Sequence, residues 1–287
     1  MSHENVTCFD GPRTYGAVRI GNEDPLTTRA RATWSAGDLL PIARSYAPGA
    51  GQFIDRLGIY PGELVLDVGC GAGSLAIPAA RAGGRVKGID IAPYVIAQAR
   101  LEARAAGCRI DFEVGNAEAL PFAAHRFDTT VTMFGAMFAF RPERAAAELL
   151  RVTRPGGRVA MANWTPEGFV GQLLRAHASL MPPPPGVPSP LDWGREEQVR
   201  ERFGTAVDSV TFTRRRMELH FAAPPAAVTE LFASCYGPTM TTLRALNSDD
   251  ARRFRGEMTR MFQRHNRANN GTTTVTAEFL EVQARVA

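Results

Sequence analysis

The sequence predicts an α/β protein built on a mostly parallel sheet with an antiparallel edge. Two observations predict it. Between residues 63 and 163, short apolar β-runs alternate with helical stretches of about 10–15 residues, the signature of β–α–β units. Beyond Asn163 come two long β-runs, 206–221 and 272–286, without a tight crossover, which suits an antiparallel edge on a parallel sheet.

The elements follow in order. Residues 1–33, rich in Gly, Pro and Arg, read as a flexible arm. From Trp34 to Leu57 apolar residues recur at helical spacing (Leu39, Leu40, Ile42, Ala43, Phe53, Ile54), with a break expected at Pro48-Gly49. Residues 63–68 form an apolar strand, 73–82 an Ala-rich helix, 86–89 a strand and 93–106 a helix. In 109–114, Ile110, Phe112 and Val114 share one face of a strand. Residues 127–134 are β-rich, 142–152 helical, and 158–163 a strand after the Pro155-Gly156-Gly157 turn. Residues 169–180 read as a helix, followed by the stiff Pro182–Pro185 run. Residues 34–223 and 269–287 thus form the α/β domain, and 224–268 an amphipathic helical insertion expected over the carboxyl ends of the strands.

Composition narrows the function. With 287 residues and 45% apolar content the chain can bury a full core. No uncharged apolar run reaches membrane-spanning length, and the opening Met1-Ser2-His3-Glu4-Asn5 lacks a basic region followed by an apolar one. Cys8, Cys70, Cys108 and Cys235 show no metal-ligand spacing, so neither a metal nor a disulfide framework is expected. A cytoplasmic location fits. The net charge of +4 is mild, and no basic stripe interleaved with aromatics suggests nucleic acid. Arg214, Arg215 and Arg216 read as solvated charge on an edge strand.

The chemistry concentrates in Leu64-Val65-Leu66-Asp67-Val68-Gly69-Cys70-Gly71-Ala72-Gly73. A glycine-rich turn between a buried strand and a helix permits tight backbone geometry and leaves room for a cofactor. Asp90 ends the next strand, where a carboxylate can accept both hydroxyls of a ribose. Residues 71–76 also satisfy G-x-G-x-x-[G/A], the dinucleotide fingerprint. Asp67 argues against that cofactor. An acid just before the glycines sits badly beside a pyrophosphate, but well beside S-adenosylmethionine, which carries a sulfonium and an ammonium and no phosphate.

These residues resemble class I S-adenosylmethionine-dependent methyltransferases, in particular the ubiquinone/menaquinone C-methyltransferase branch and a bacterial small-molecule subgroup. Leu66–Gly73 is similar to motif I, Gly88-Ile89-Asp90-Ile91 to the ribose-binding strand end, Gly115-Asn116-Ala117-Glu118-Ala119-Leu120-Pro121-Phe122 to the G-D-A-E-x-L-P-F loop, and Leu150–Gly157 to the segment before the fifth strand. The resemblance implies a Rossmann-like seven-stranded sheet in the order 3-2-1-4-5-7-6, its last strand antiparallel. It implies cofactor contacts from Asp67, Gly69, Cys70, Gly71, Gly73, Asp90, Ile91, Asn116, Ala117, Glu118, Met133 and Phe134. Asn116 stands where the family usually has Asp, and its carbonyl can still accept the adenine amino group. The reaction implied is in-line attack on the sulfonium methyl, leaving S-adenosylhomocysteine. The acceptor is a small, partly apolar metabolite bearing O, N or C as nucleophile, or a quinone-type ring.

Trp34, Met137, Trp164 and Tyr236 are candidates for substrate contact, and His265 and His177 for a catalytic base. Each also has a plain packing role open to it. The insertion, rich in Leu231, Phe232, Met240, Phe254, Met258, Met261 and Phe262, is expected to act as a lid and offers a surface for a homodimer. Two other classes stay open at this point: a cofactor-binding protein without catalysis, and an NAD-dependent oxidoreductase.

Overall fold

The computed structural model describes residues 24–287. Its seven strands are β1 (Leu64–Val68), β2 (Arg85–Asp90), β3 (Asp111–Val114), β4 (Phe127–Met133), β5 (Thr153–Trp164), β6 (Val207–Phe221) and β7 (Thr273–Val286). They form one sheet in the order β3-β2-β1-β4-β5-β7-β6, with β7 antiparallel to both neighbours. Among the described residues, eleven α-helices surround it: α1 (Pro25–Trp34), α2 (Leu40–Ser45), α3 (Ala47–Leu57), α4 (Ala76–Arg81), α5 (Pro93–Ala105), α6 (Pro142–Val152), α7 (Phe169–Leu180), α8 (Glu196–Phe203), α9 (Pro225–Cys235), α10 (Gly237–Ala245) and α11 (Ser248–His265).

The chain runs outward from β1 to β3 on one side and from β4 to β5 on the other. The strand order reverses between β1 and β4, and the loops leaving these two strands diverge there. Open parallel sheets bind ligands at such a point. The register sets the ends of β1, β2, β3 and β4 side by side: Asp67 pairs with Val131, and Asp90 with Val114. Buried Val65, Leu66, Val68, Val131, Val159, Ala160 and Met161 make the centre of the core.

Four sequence expectations need correction. Residues 25–34, assigned to the flexible arm, are a helix; Asp24 caps it by accepting from the Leu26 and Thr27 N–H groups, and Pro25 opens its first turn. Residues 1–23 of that arm lie outside the described residues. The break between α2 and α3 falls at Tyr46, and Pro48 lies in the first turn of α3, where a missing N–H costs nothing. Pro155-Gly156-Gly157 stays within β5, its register against β4 shifting between Phe127 and Thr129. Arg215 is not a solvated charge: it pairs at 2.7 Å with Glu281, which is 2% exposed and also held by Arg56 of α3 at 2.6 Å. Arg214 and Arg216, on the opposite face of β6, share Glu278.

β5 stops where Trp164 meets Phe279, but β6 and β7 continue together to Phe221 and Thr273. This overhanging ribbon carries α9, α10 and α11. Their buried Val228, Phe232, Phe254, Met258, Met261 and Phe262 join the core. The insertion meets the N-terminal helices through two close backbone seats. A Cβ on Gly37 would lie 2.1 Å from the Cys235 carbonyl oxygen, and a Cβ on Gly237 2.0 Å from that of Thr33. Glycine is required at both. Among the described residues no helix is long and apolar enough to cross a membrane.

Candidate active site

A cleft with about 940 Å³ of empty volume, part of it open to solvent, lies over the ends of β1, β2, β3 and β4. Its floor begins at the turn after β1. Gly69 and Cys70 donate their N–H groups to the Ile89 carbonyl at 2.8 and 3.0 Å, binding the turn to β2. Gly69 has φ +68° and faces Gly135 so closely that a Cβ would come within 2.7 Å of the Gly135 Cα. Two backbones thus meet without side chains where β1 and β4 end.

Two carboxylates stand on this floor. Asp67 is 1% exposed, and its Oδ2 is buried without a hydrogen-bond partner. Burial pushes its carboxyl up to about 8, with nearby Asp90 adding to the shift. Asp90 accepts the Gly71 N–H on Oδ2 and the Ala92 N–H on Oδ1, each at 3.0 Å. Each of its oxygens keeps lone pairs for a further donor. Burial raises its pKa too, against the pull of those N–H groups. Burial also holds the Cys70 thiol well above its usual range.

β3 leads into Gly115 and the loop Asn116-Ala117-Glu118. Asn116 Oδ1 accepts the Glu118 N–H at 2.9 Å, and its Nδ2 donates to Thr27 Oγ1 at 3.2 Å. Helix α1 is the roof over this end. Thr27, Ala30 and Trp34 face the cleft, and Arg31 donates to the Ile91 carbonyl at 2.6 Å.

The other end is aromatic. Phe134 sits at φ +55°, a conformation that costs a bulky residue about 1–3 kcal/mol and concentrates at functional sites. Its ring stacks on Trp164 at 3.4 Å and meets Tyr46 and Phe279 edge-on, each at 5.8 Å. The Tyr46 hydroxyl hydrogen-bonds Ser74, and burial pushes it up to about 12. Trp34, Leu39, Met133, Phe138 and Ala139 complete the wall.

Of the residues singled out in the sequence, Asp67, Gly69, Cys70, Gly71, Asp90, Ile91, Asn116, Ala117, Glu118, Met133, Phe134 and Trp34 border the cleft. Gly73 does not; at φ +92° it turns the chain towards α4. Met137, 1% exposed, belongs to the core. Trp164 backs Phe134 from behind, and buried Tyr236 backs Trp34, their rings 5.9 Å apart. His177 lies between α7 and α10. One ring nitrogen bonds the Leu173 carbonyl at 2.7 Å and the other Thr239 Oγ1 at 2.8 Å. His265 packs on the Phe169 ring. Neither histidine reaches the cleft. Sequence reading missed Thr27, Ala30, Leu39 and Tyr46, all of which line the cleft. Among the described residues, no cluster of His, Cys, Asp and Glu could hold a metal ion.

The donor set tests the expected cofactor. The orphaned oxygen of Asp67 needs a donor, which the ammonium of S-adenosylmethionine would supply. The open oxygens of Asp90 suit two ribose hydroxyls, and the side-chain-free turn leaves room between them. The residues fit that group. A pyrophosphate would meet two acids instead.

Comparison with known proteins agrees. Residues 65–157 match the family model described as a methyltransferase domain. The chain is 38% identical over 224 residues to the uncharacterized protein Rv1403c of Mycobacterium tuberculosis, covering 77% of this chain and 81% of the other. It is 37% identical over 116 residues to a demethylmenaquinone methyltransferase of Renibacterium salmoninarum, covering 40% of this chain and 47% of that enzyme. Among solved structures, the YcgJ protein of Bacillus subtilis superposes with a TM-score of 0.57 at 18% identity, over 83% of this chain and 98% of the other.

Proposed function

We propose an acceptor class from the premise that this chain belongs to the family of the mycobacterial protein Rv1403c and is an S-adenosylmethionine-dependent methyltransferase. The acceptor is a small, largely apolar ring compound whose nucleophilic atom ionises without help from the protein, a phenolic or enolic group being the simplest case.

S-adenosylmethionine, when bound, supplies an activated methyl group on a sulfonium. The residues of this chain hold and align it: Asp67 for the ammonium, Asp90 for the ribose hydroxyls, the loop 116–118 for the base. The turn at Gly69 and Gly71 lets the ligand approach the backbone. At the other end Trp34, Leu39, Tyr46, Phe134 and Phe138 offer flat apolar surface, which orients a ring by stacking. α1 closes over the site, backed from behind by the insertion 224–268 through Tyr236 and Gly237, excluding water so that the acceptor can be held at attacking distance.

One observation carries the acceptor class. Among the described residues, the titratable side chains lining the cleft are Tyr46, Asp67, Cys70, Asp90 and Glu118. Tyr46 and Cys70 are held protonated by burial, Asp90 is bound by two N–H groups, and Glu118 is paired with Arg141 at 2.8 Å. Asp67 lies on the cofactor side of the floor. Among the described residues, no lining group is left to remove a proton at neutral pH, which favours an acceptor that brings its own anion or electron-rich carbon. The partial likeness to a demethylmenaquinone methyltransferase favours a second, related reading: carbon methylation of a hydroxylated quinol ring, whose ionised hydroxyl makes the neighbouring carbon nucleophilic.

The experiment is methyl transfer to a series of ring-substituted phenols and quinols, followed by mass shift and by pH–rate profiles. The acid limb of kcat/KM should track the acceptor's own pKa across the series. With S-adenosylmethionine kept saturating at every pH, so that Asp67 ionisation does not enter, a limb that stays fixed whatever the acceptor would reveal a protein base and overturn the reading. Turnover confined to aliphatic amines would overturn it equally.

A further inference from the structure

A closed ring of polar contacts ties α1 to the loop after β3. Arg141 donates from Nη2 to Asp24 Oδ1 at 2.5 Å, from Nη1 to Glu118 Oε2 at 2.8 Å, and from its backbone N–H to Glu118 Oε1 at 3.0 Å. The Thr27 hydroxyl donates to Asp24 Oδ2 at 2.7 Å. Asn116 Nδ2 donates to Thr27 Oγ1, and the Glu118 N–H returns to Asn116 Oδ1. The Asn116 amide is thereby oriented, its oxygen towards Glu118 and its nitrogen towards Thr27.

This orientation has a chemical consequence. A carboxylate at position 116 would present a second acceptor to the cleft, whereas Asn116 presents a donor and passes it to Thr27. Thr27 gives its one proton to Asp24 and receives Asn116 on one lone pair, which leaves one lone pair over. Thr27 is 8% exposed and borders the cleft. On the reading proposed above, the ligand's parts would fall on successive strand ends: amino acid at Asp67 after β1, ribose at Asp90 after β2 and base at the loop after β3. The base would then lie between the Asn116 loop and α1, both of which line the cleft.

We propose that Thr27 is the specificity-determining acceptor for the exocyclic amino group of adenine, held in place by Asn116 and Asp24. The roof helix thus reads the base, and Arg141, which does not line the cleft, positions the reader. This rests on S-adenosylmethionine being the cofactor.

The test is calorimetric titration of the full chain with S-adenosylhomocysteine and with S-inosylhomocysteine, in which a carbonyl replaces the amino group. The unaltered protein should prefer the adenosyl ligand by about tenfold or more, the worth of a buried hydrogen bond made rather than left unmade. Thr27→Val keeps the shape and removes the acceptor. It should bind the adenosyl ligand about tenfold more weakly and equalise or reverse the preference, because the freed Asn116 Nδ2 can donate to the inosyl carbonyl. Thr27→Ser should retain the preference. Asn116→Asp supplies a second acceptor and should sharpen it. Proteolysis at Arg29 and Arg31 reports whether α1 stays docked in each variant. A Thr27→Val protein with α1 docked and an unaltered preference would overturn the assignment and leave adenine recognition to Asn116 Oδ1. A preference lost equally in Thr27→Ser would also overturn it. If the unaltered protein bound neither nucleoside, the cofactor reading itself would fail.

Discussion

The floor of the cleft makes a quantitative claim about protons. Asp67 is buried, its Oδ2 lacks a donor, and its pKa stands near 8. In the empty site at neutral pH it is therefore mostly a neutral acid. An ammonium arriving beside it needs the carboxylate, so binding must expel a proton. With a pKa of about 8, affinity should rise about tenfold per pH unit from 6 to 7 and level off above 8, about 2.7 kcal/mol in all between pH 6 and the plateau. At pH 7 about 0.9 proton should leave per ligand bound. The assay is calorimetry with S-adenosylhomocysteine in buffers of different ionisation enthalpy, which counts released protons directly. Methylthioadenosine, which lacks the amino-acid portion, should bind without this dependence. Asp67→Asn should abolish it. Flat affinity between pH 6 and 8 with no proton release would refute the placement of the ammonium against Asp67.

Other outcomes follow from the same geometry. Asp90→Ala should weaken S-adenosylhomocysteine binding at least a hundredfold by calorimetry, since two hydrogen bonds to a carboxylate are worth about 1.5–3 kcal/mol each; unchanged affinity would remove Asp90 from the site. Gly69→Ala places a Cβ 2.7 Å from the Gly135 Cα at φ +68°. It should cost about 1–3 kcal/mol, read as a lowered Tm together with lost cofactor binding. His177 has its pKa lowered by burial. The unfolded chain takes up this proton below pH about 6.5 while the folded chain does not, so stability is full above that pH and falls below it by at most about 1.4 kcal/mol per unit. Melting curves from pH 7.5 to 5.5 should show a shallower decline for His177→Phe than for the unaltered protein.

The cofactor half of the site was legible because its chemistry is local. Asp67 through Gly71, Asp90 and Asn116 through Glu118 each stand at the end of a strand, and the strand itself is a visible apolar run. Nothing comparable announces Tyr46 or Thr27. Thr27 comes from a short helix and Tyr46 from the break between two others, their seat over the cleft is set by tertiary packing, and the only local signal was Asp24-Pro25, a helix start hidden in a Gly- and Arg-rich stretch. Met137 and Trp164 show the converse failure. Both lie next to the cleft in the chain, but a one-turn 3-10 helix at Ala136–Phe138 directs Met137 inward, and Trp164 is screened by the ring of Phe134. Proximity along the chain to a strand end predicts the neighbourhood of a site and not which side chains enter it.

The paired glycine seats, Gly37 against Cys235 and Gly237 against Thr33, bear on how such a chain could be re-engineered. The first helix and the insertion lie some 200 positions apart in sequence, yet each leaves a gap shaped for the other's backbone. They behave as one exchangeable unit. A chimera that takes its insertion from a relative while keeping its own first helix would set a side chain against a carbonyl oxygen unless the donor also has glycine there. Transplanting both pieces together onto the unchanged sheet preserves the fit. Libraries meant to alter the acceptor should therefore recombine at three boundaries at once, just before β1 and at the two ends of the insertion, leaving the strand-end acids in the recipient frame.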